Sequence, residues 1–464
     1  MMPAVSVKAE GNTATGTTYY VDSNGGKDSN DGTAENKAFQ TLDKVNELNL
    51  EPGDTVLLKK GSVFEDQALK FTKEDSGTAE APVRISAYGE GNRPQINTNG
   101  HGQWELNYGT PLDNQNHKWK GTVSSSILIE DTEYIEIDGL ELTNDRKSAT
   151  DTEKDKKYND AYAMDRTGVA GVAKDNGTVD HIVLNDLYIH DVTGNVYNKH
   201  MTNGGIYFII AKPTDEGATG IARYNDVKIT NCSLNTVNRW GIAVGYTYQW
   251  RQFTTGALSD ATMAKYASSN VVIENNYLNH VGGDAITTMY LDRPLVQYNV
   301  AEDCSRQMNP TDYPSGWQRV AAGIWPWKCK DSVFQYNECY NNQYAYHGNG
   351  DGQAWDADWT DGTLYQYNYS HGNSRGAIMF CGAEAVNTTF RYNISENELT
   401  GPLDLPGNPD AHIYNNTFYM NENIKSIFDR TGGNAVLENN IFYYGGSTPL
   451  NQNWYPGGTL QYDN

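Results

Sequence analysis

The stretch "GNGDGQAWDADWTDG", residues 348–362, places four aspartates and two tryptophans among four glycines, with no lysine or arginine inside it. In glycosidic cleavage, one carboxyl group stays protonated to release the leaving oxygen, and an ionised one attacks the sugar or activates water. Aromatic rings pack on the apolar C–H face of a pyranose. The candidate residues in this stretch are Asp351, Asp356, Asp358, Trp355 and Trp359. Their types and spacing predict a site that cleaves sugars.

The spacing of the aspartates limits how they can act together. Asp356 and Asp358 are two positions apart, so on one strand both side chains point to the same side. The residues alone therefore leave open which of the two is catalytic. Asp351 is an odd number of positions from Asp358, so a turn near Gly352 is needed for both to reach one sugar. Neighbouring carboxyls push their pKa values apart, which favours separate acid and base roles.

Two other interpretations of the stretch need no catalysis. The acidic spacing loosely resembles a calcium-binding loop, but the DxDxDG register and the terminal glutamate are missing. A solvated acidic turn is the second interpretation. Catalysis is favoured because the stretch lies in a tryptophan-rich segment that makes one repeat of the chain longer than most of the others. We therefore predict no required cofactor and no metal ion at the site, and a structural calcium ion is not indicated.

A periodic pattern organises the chain around this stretch. An apolar residue is followed, after one position, by the pair Asn-Asn or Tyr-Asn. The last residue of the pair is always asparagine, and it falls at Asn276, Asn299, Asn337, Asn368, Asn393, Asn416 and Asn440. The steps are 23, 38, 31, 25, 23 and 24 residues. A period near 23 with short β-runs is typical of a parallel β-helix. We expect each asparagine at a corner with left-handed backbone, bonded to its equivalent one coil away, with Asn185 and Asn231 as earlier members.

The two long steps are consecutive, so their extra residues should lie in neighbouring coils. Insertions in repeat proteins emerge as loops on one face, often the binding face. The first insertion carries "GWQRVAAGIWPWKC", and the second carries "YAYHGNGDGQAWDADWTDG". The tryptophans expected beside the aspartates are Trp317, Trp325 and Trp327, in addition to Trp355 and Trp359.

Four further residues are weaker candidates for the same pocket. Asp284 and Glu384 follow glycines, as residues at loop tips often do, although each could instead stabilise a turn. His347 could orient a carboxylate, but a lone histidine is more often structural. Arg375 is a candidate site residue whose alternative role is an ordinary salt bridge.

The predicted fold class is all-β, a right-handed parallel β-helix with a short N-terminal capping helix. We expect residues 1–18 to be flexible and residues 19–464 to form a single catalytic domain. The β-helix should begin near residue 50. A helix near residues 38–48 carries Phe39, Leu42 and Val45 on one face, and it is placed to cover the open end of the solenoid.

The composition excludes several classes of partner. The net charge is 35 − 58 = −23, which argues against nucleic acid and anionic membranes, and disfavours a polyanionic substrate. No apolar run reaches the roughly 18 residues of a membrane span. The five cysteines are predicted to be small buried core residues. The first residues read like the start of a mature secreted chain, so an extracellular or bacterial cell-surface location is expected.

The N-terminal lid, the asparagine-laddered coils and the aspartates seven apart in "DGQAWDAD" together resemble the lacto-N-biosidases of glycoside hydrolase family 136. The resemblance covers most of the chain from about Tyr19. It implies a retaining hydrolase with Asp351 as general acid/base and Asp358 as nucleophile. The implied reaction releases lacto-N-biose (Galβ1-3GlcNAc) from the non-reducing end of lacto-N-tetraose-type human milk or mucin oligosaccharides. It also implies a dedicated folding chaperone or helical partner subunit, separate from this chain.

Two alternative functions stay open on sequence. A polysaccharide lyase or epimerase on the same fold would need a lysine or arginine base and usually calcium in a cationic cleft, which the acidic balance disfavours. A non-enzymatic glycan-binding β-helix would leave its glycan intact. Turnover of an oligosaccharide distinguishes the enzyme from the binder.

Overall fold

The computed structural model describes residues 16–115, 117–145, 164–196, 198–308, 320–343, 351–451 and 459–463. Residues 1–15, Trp317 and His347 lie outside the described residues. The described chain forms three long sheets, whose neighbouring strands pair in parallel with one antiparallel exception at the edge. This arrangement confirms the predicted parallel β-helix.

The strands of the N-terminal half are, in chain order, β1 (Thr18–Val21), β2 (Thr55–Lys59), β3 (Val63–Glu65), β4 (Leu69–Phe71), β5 (Val83–Tyr88), β6 (Gln95–Asn97), β7 (Gln103–Asn107), β8 (Lys120–Glu130), β9 (Ile135–Asp138), β10 (Glu141–Asn144), β11 (Asp165–Ala173), β12 (Thr178–Asn185), β13 (Tyr188–Val192), β14 (Gly204–Ile210), β15 (Arg223–Thr230), β16 (Ser233–Val237), β17 (Trp240–Thr247), β18 (Ser268–Glu274) and β19 (Tyr277–Val281). Those of the C-terminal half are β20 (Ile286–Met289), β21 (Leu291–Asp292), β22 (Leu295–Gln297), β23 (Val300–Glu302), β24 (Ile324–Trp327), β25 (Val333–Gln335), β26 (Glu338–Tyr340), β27 (Trp355–Asp358), β28 (Leu364–Gln366), β29 (Tyr369–His371), β30 (Ile378–Cys381), β31 (Thr389–Arg391), β32 (Ile394–Glu396), β33 (Leu403–Asp404), β34 (His412–Tyr414), β35 (Thr417–Met420), β36 (Asn434–Glu438), β37 (Ile441–Tyr444) and β38 (Thr459–Asp463). The described helices are α1 (Asp43–Asn46), α2 (Glu216–Thr219) and α3 (Asp260–Tyr266), with 3-10 turns at Glu35–Lys37, Lys73–Asp75 and Trp250–Gln252.

A full coil contributes one strand to each sheet. The first sheet runs β1-β2-β5-β9-β12-β15-β18-β22-β25-β28-β31-β34-β36-β38, with β21 also paired to β18. The second runs β3-β6-β10-β13-β16-β19-β23-β26-β29-β32-β35-β37. The third runs β4-β8-β11-β14-β17-β20-β24-β27-β30-β33, and the antiparallel strand β7 extends its edge beside β8. The third sheet is the one that carries the predicted site.

The interior core forms because side chains alternate along each short strand. In β25, Phe334 is buried between two half-buried neighbours, and its ring centroid lies 4.9 Å from that of Tyr365 one coil later. Burying one such side chain contributes about 1.5–3 kcal/mol. The third sheet also buries a second apolar cluster on its outer face, which includes Tyr207, Trp240 and Trp325.

The predicted asparagine ladder is present from Asn276 to Asn440. Within it, the backbone N and the Nδ2 of Asn299 each donate to Asn337 Oδ1 at 3.0 Å. The Asn299 amide also donates to the Ile273 carbonyl at 2.9 Å. Each of these buried amides therefore bonds to its equivalent in the next coil and to a carbonyl at the preceding corner, which fixes the spacing of the coils.

Three details of the ladder prediction are wrong, and the first is Asn185, which ends β12 opposite Thr230 and so does not occupy a ladder position. The left-handed backbone belongs to the residue before each ladder asparagine, for example Tyr336 with a φ of 55°, because that residue turns the corner and directs the asparagine inward. Asn231 is exposed, and the backbone N of Cys232 instead donates to Asn276 Oδ1 at 2.9 Å. Cys232 thus occupies the ladder position in that coil.

The corner residues form a row of stacked rings on the outside of the solenoid. Tyr298, Tyr336, Tyr367 and Tyr392 are between 41% and 48% exposed. Successive ring centroids are 5.0, 5.1 and 5.3 Å apart, and the ring planes differ by 5° to 8°. We call these four residues the tyrosine stack.

At the N-terminus, α1 lies within the range predicted for a helix. Leu42 and Val45 are buried in the interior core. The role of this segment as a cap stays a prediction. Within the described residues, no helix combines the length and apolar character needed to cross a membrane.

The five cysteines are free thiols. Four of them are buried, as predicted, namely Cys232, Cys304, Cys329 and Cys339. Cys381 differs because it is only partly buried and lies at the outer face of the third sheet.

Candidate active site

Strands β24, β27 and β30 of the third sheet bring most of the predicted residues together. Trp355 and Ala357 of β27 belong to the interior core, so Asp356 and Asp358 both face outward, as their spacing indicated. Where β24 pairs with β27, Trp327 lies opposite Asp358. Where β27 pairs with β30, Asp358 lies opposite Cys381. The two long insertions therefore do place their side chains in neighbouring coils on one face.

A cavity of about 420 Å³ opens on this face. Three predicted residues line it: Trp325, Trp327 and Asp358. The other lining residues are Asp113, Asn114, His117, Lys199, His200, Trp240, Tyr246, Met289 and Val320. Small-molecule sites typically occupy about 300–1,000 Å³. The cavity therefore has the size of a binding site, and it contains one of the predicted catalytic carboxyls.

Asp356, Asp358 and Cys381 form a tight cluster. One oxygen from each carboxyl and the Cys381 Sγ all lie within 4.8 Å of one another. Asp356 Oδ1 and Asp358 Oδ1 are buried without a hydrogen-bond partner among the described residues. Calcium takes six to eight oxygen ligands, so two carboxyls and a thiol do not fit it. The cluster instead offers carboxyl oxygens that a substrate could engage.

Asp351 reaches the cluster from the other side of a turn. Gly352 has a φ of 122°, a conformation that favours glycine, and this provides the turn predicted from the spacing. Burial raises the pKa of Asp351 to about 6, and the Arg430 guanidinium opposes that rise. Arg430 itself donates to Asp404 at 2.8 and 2.5 Å. The Asp351 carboxyl can therefore hold a proton in mildly acidic solution.

Asp358 is subject to opposing influences. Burial raises its pKa, the Cys381 thiol lowers it by hydrogen bonding, and the charge on Asp351 raises it again. The ammonium groups of Lys199 and Lys328 lower the pKa of Asp358. Burial also raises the pKa of Asp356 well above its ordinary value, with the charge on Asp358 adding to the rise. Because three buried carboxyls cannot all ionise together, the cluster retains at least one proton near neutral pH.

The tryptophans of β24 are held by hydrogen bonds. Trp325 Nε1 donates to Asp284 Oδ1 at 2.9 Å, and Trp327 Nε1 donates to the Tyr290 hydroxyl at 3.0 Å. The Trp359 ring centroid lies 5.7 Å from that of Trp327, so Trp359 extends the aromatic surface beside the cavity. These rings are positioned to pack against a sugar.

The expectation that Trp355 binds substrate is wrong. Its side chain is fully buried in the interior core, with its ring centroid 5.9 Å from that of Tyr365. The reason is the alternation along β27: if Asp356 and Asp358 face outward, Trp355 must face inward. Trp355 supports the site from behind.

Asp284, Glu384 and Arg375 lie near the site but do not line the cavity. Asp284 is fully buried and accepts hydrogen bonds from Trp325 Nε1 and, at 3.1 Å, from the Ala322 backbone N. Glu384 lies in the turn after β30, where its charge acts on Lys328. Arg375 is ion-paired with Asp429 at 2.5 Å, which matches its alternative role as a salt-bridge partner.

Several cavity residues were not found from the sequence. Asp113 accepts from the Tyr246 hydroxyl at 2.6 Å and contacts His117 Nδ1 at 3.2 Å. His200 Nδ1 lies 2.8 Å from the Tyr207 hydroxyl. Burial lowers the pKa of both histidines, so both rings are neutral at neutral pH. These residues come from segments with no periodic signal, so no pattern linked them to β27.

No family model matches the chain. The lacto-N-biosidase of Bifidobacterium longum subsp. longum is 48% identical over 97% of this chain, and the match covers 30% of that protein. The crystal structure of the glycoside hydrolase family 136 lacto-N-biosidase from Eubacterium ramulus, as a selenomethionine derivative, is 45% identical with a TM-score of 0.86. That match covers 92% of this chain and 68% of the other. The native form is 43% identical with a TM-score of 0.83, covering 96% and 68%.

The chain spans about 30% of the length of the Bifidobacterium relative and about two-thirds of the Eubacterium chains. With this level of identity across the whole solenoid, the chain belongs to glycoside hydrolase family 136.

Proposed function

We propose that this chain is a retaining glycoside hydrolase that releases lacto-N-biose from the non-reducing end of lacto-N-tetraose-type oligosaccharides. The observation that carries the proposal is the outward-facing Asp358, which lines a cavity beside Trp325 and Trp327 in a member of family 136. Aromatic faces and a carboxyl converging on one cavity are what sugar cleavage needs.

In this proposal Asp351 is the general acid/base and Asp358 is the nucleophile. Burial favours the protonated form of both Asp351 and Asp358, so it is compatible with an acid role for Asp351 but does not by itself separate the two roles. The second role is supported by the position of Asp358 in the cavity wall and by the nearby positive charges of Lys199 and Lys328. Asp356, which does not line the cavity, serves as a neutral neighbour of the nucleophile.

The proposed substrate is a neutral oligosaccharide. A chain with a net charge of −23 repels polyanions, while neutral sugars are unaffected. The cavity wall combines aromatic rings with neutral imidazoles and an aspartate, Asp113, which can accept hydrogen bonds from sugar hydroxyls. A type-1 disaccharide unit presents both apolar C–H faces and hydroxyls to such a wall.

The direct test incubates the protein with lacto-N-tetraose and, in parallel, with its type-2 isomer lacto-N-neotetraose. We expect release of lacto-N-biose and lactose from the first and no disaccharide from the second, measured by chromatography with authentic standards. Binding without turnover would support a glycan-binding β-helix instead. Unsaturated products from a uronate polymer would support a lyase.

The stereochemistry of the product tests the roles. Two successive inversions at the anomeric carbon should give the β-anomer of lacto-N-biose before mutarotation, as seen by NMR early in the reaction. With a small-nucleophile variant such as Asp358→Gly, added azide should yield the α-azide. Initial formation of the α-anomer would show inversion and would make Asp358 a base rather than a nucleophile.

A further inference from the structure

Lys328 is a buried cation that lies against aromatic rings. The residue is 5% exposed, and its Nζ has no hydrogen-bond partner among the described residues. Buried ammonium groups are normally paired, because an unpaired one costs several kcal/mol. Here aromatic faces surround it instead: Nζ lies 4.2 Å from the Trp359 ring centroid and 5.8 Å from that of Trp327.

The fold places the backbone of Lys328 beside that of Asp358. Trp327 lies opposite Asp358 in the register between β24 and β27, and Lys328 is the next residue. The backbone N of Lys328 donates to the Asp358 carbonyl at 3.4 Å. The negative charges acting on the Lys328 ammonium are those of Glu384, Asp358 and Asp113. Lys328 itself does not line the cavity, so a sugar in the cavity would not contact it directly.

Few groups near Asp358 can supply positive charge. Asp351 and Asp356 on its own segment are acidic, and Cys381 on β30 carries a thiol whose pKa burial raises well above its ordinary value. His117 and His200, which face the cavity, are neutral because burial lowers their pKa values. Among the strongest influences on Asp358, the cations are Lys199 and Lys328, while Arg430 acts on the neighbouring Asp351 and Asp356.

The two lysines differ in what else they do. Lys199 lines the cavity, and its pKa is lowered by burial and then by the charge of Arg239. Lys328 lies behind the tryptophans, and burial lowers its pKa to about 8, so its ammonium group is charged in mildly acidic solution. The Cys381 thiol hydrogen-bonds to the Asp358 carboxyl, but Asp358 Oδ1 has no hydrogen-bond partner among the described residues, so the two ammonium groups act on that oxygen through space. A direct hydrogen bond to that oxygen would occupy a lone pair and weaken it as a nucleophile.

We propose that Lys328 is a positioning residue whose ammonium, held against the faces of Trp359 and Trp327, keeps the Asp358 carboxylate ionised without hydrogen bonding to it. This rests on the proposed function, in which Asp358 is the nucleophile. The two tryptophans then have a second role, because their rings hold the cation by cation–π attraction while the aromatic surface continues toward the cavity.

The test measures kcat/KM for lacto-N-tetraose across pH in the wild type, Lys328→Met, Lys328→Arg and, as a matched control, Lys228→Met. Lys228 belongs to β15 of the first sheet and pairs with Asp226 at the surface. Removing the charge should move the acidic limb of the Lys328→Met profile upward by about one pH unit, or roughly tenfold at mildly acidic pH. Lys328→Arg should stay within about twofold of the wild type, and KM should change little.

An unshifted acidic limb in a folded Lys328→Met variant would overturn the proposal, as would an equal loss of activity at every pH. If Lys328→Met does not fold, Lys328→Gln is measured in its place, with the same two outcomes. Failure of the proposed function would look different: the wild type would release no disaccharide, or Asp358→Asn would retain its activity.

Discussion

At the scale of residues, Asp356 and Asp358 present two carboxyls on one side of one strand, within 4.8 Å of each other. The cavity separates their roles, because Asp358 lines it and Asp356 does not. Burial raises the pKa of both carboxyls, and Cys381, Lys199 and Lys328 oppose that rise at Asp358, whereas the groups acting on Asp356 are mainly other acids. Two carboxyls that are two positions apart on β27 thus differ in their access to the cavity and in the charges that act on them.

Replacing each aspartate by asparagine tests this distinction. Asp351→Asn and Asp358→Asn should each lower kcat by about 10²–10³ or more, because the acid and the nucleophile act on one transition state. Asp356→Asn is the matched comparison and should cost less. Steady-state kinetics on lacto-N-tetraose, with circular dichroism to verify folding, measures the effect. If Asp356→Asn proves the most damaging of the three in folded protein, the assignment of the pair is incorrect.

Some of this residue-level picture can be predicted from the sequence. The turn at Gly352 and the shared face of Asp356 and Asp358 both follow from counting positions along a strand. The same count places Trp355 inside the solenoid. Its side chain faces inward because it alternates with Asp356 along the strand, even though it lies close to the aspartates in sequence. Asp113, His117 and Lys199 could not be predicted, because more than a hundred residues separate each of them from Asp358 and no repeat relates them.

At the scale of elements, the ladder asparagines determine where each coil turns. Asn337 Oδ1 accepts from both the backbone N and the Nδ2 of Asn299, and its own Nδ2 donates to the Val296 carbonyl at 2.9 Å and to Asn368 Oδ1 at 3.1 Å. Its corner lies along the chain between the strand that carries Trp327 and the strand that carries Asp358. The periodic asparagine is therefore both the signal that revealed the fold and a cause of the site's spacing.

Removing one ladder amide should be costly. Asn337→Ala would leave the buried backbone N–H of Asn299 unpaired, so we expect a loss of about 2–4 kcal/mol in the free energy of unfolding. Asn231→Gly is the control, because Asn231 is exposed, is not part of the ladder and has a φ of 55° that glycine adopts easily, and it should cost less than about 1 kcal/mol. Chemical denaturation measures both. Equal effects would mean that the ladder does not hold the coils together.

A second buried row ends on a carboxyl instead of an amide. The backbone N of Asn342 donates to Asn373 Oδ1 at 3.1 Å, and that of Asn373 donates to Glu398 Oε2 at 2.7 Å. Burial raises the pKa of Glu398 from 4.5 to about 7, while hydrogen bonds from Ser370, Asn373 and Ser395 oppose the rise. The folded state therefore holds this proton more tightly than the unfolded chain does.

This difference predicts a pH dependence of stability. Because the folded pKa is raised, the stabilisation by Glu398 is complete below about 4.5 and is lost as pH rises through about 7. Over that range the wild type should lose up to roughly 3 kcal/mol relative to Glu398→Gln, which keeps an acceptor for Asn373. Denaturant unfolding of both proteins at several pH values measures the difference. A constant difference across the range would contradict the prediction.

At the scale of the whole molecule, the described coils stack into a long solenoid, and the site depends on several of them being stacked correctly. We propose that it acts outside the cell or at the bacterial cell surface, and that a separate folding chaperone or helical partner assists its assembly. Parallel pairing between distant segments is intrinsically slow, and the exposed edges of unfinished sheets are prone to aggregate. The chaperone or partner would therefore act during folding, before the coils have paired.

Co-expression tests the assistance. The soluble yield and the specific activity on lacto-N-tetraose should both rise when the partner is co-expressed with this chain. Adding the partner after folding should have no effect, because its action would precede the closure of the coils. Equal yield and specific activity without any partner would show that this chain folds unaided.

The tyrosine stack makes the state of these coils visible to spectroscopy. Four phenol rings spaced 5.0 to 5.3 Å apart and almost parallel are close enough for their electronic transitions to couple. Such coupling gives near-ultraviolet circular dichroism that disappears once neighbouring coils separate. Tyr336 and Tyr367 lie in the coils of Trp327 and Asp358, on a corner remote from the cavity wall. Their optical signal can therefore report whether the coils that carry Trp327 and Asp358 are stacked, without any label and away from the cavity.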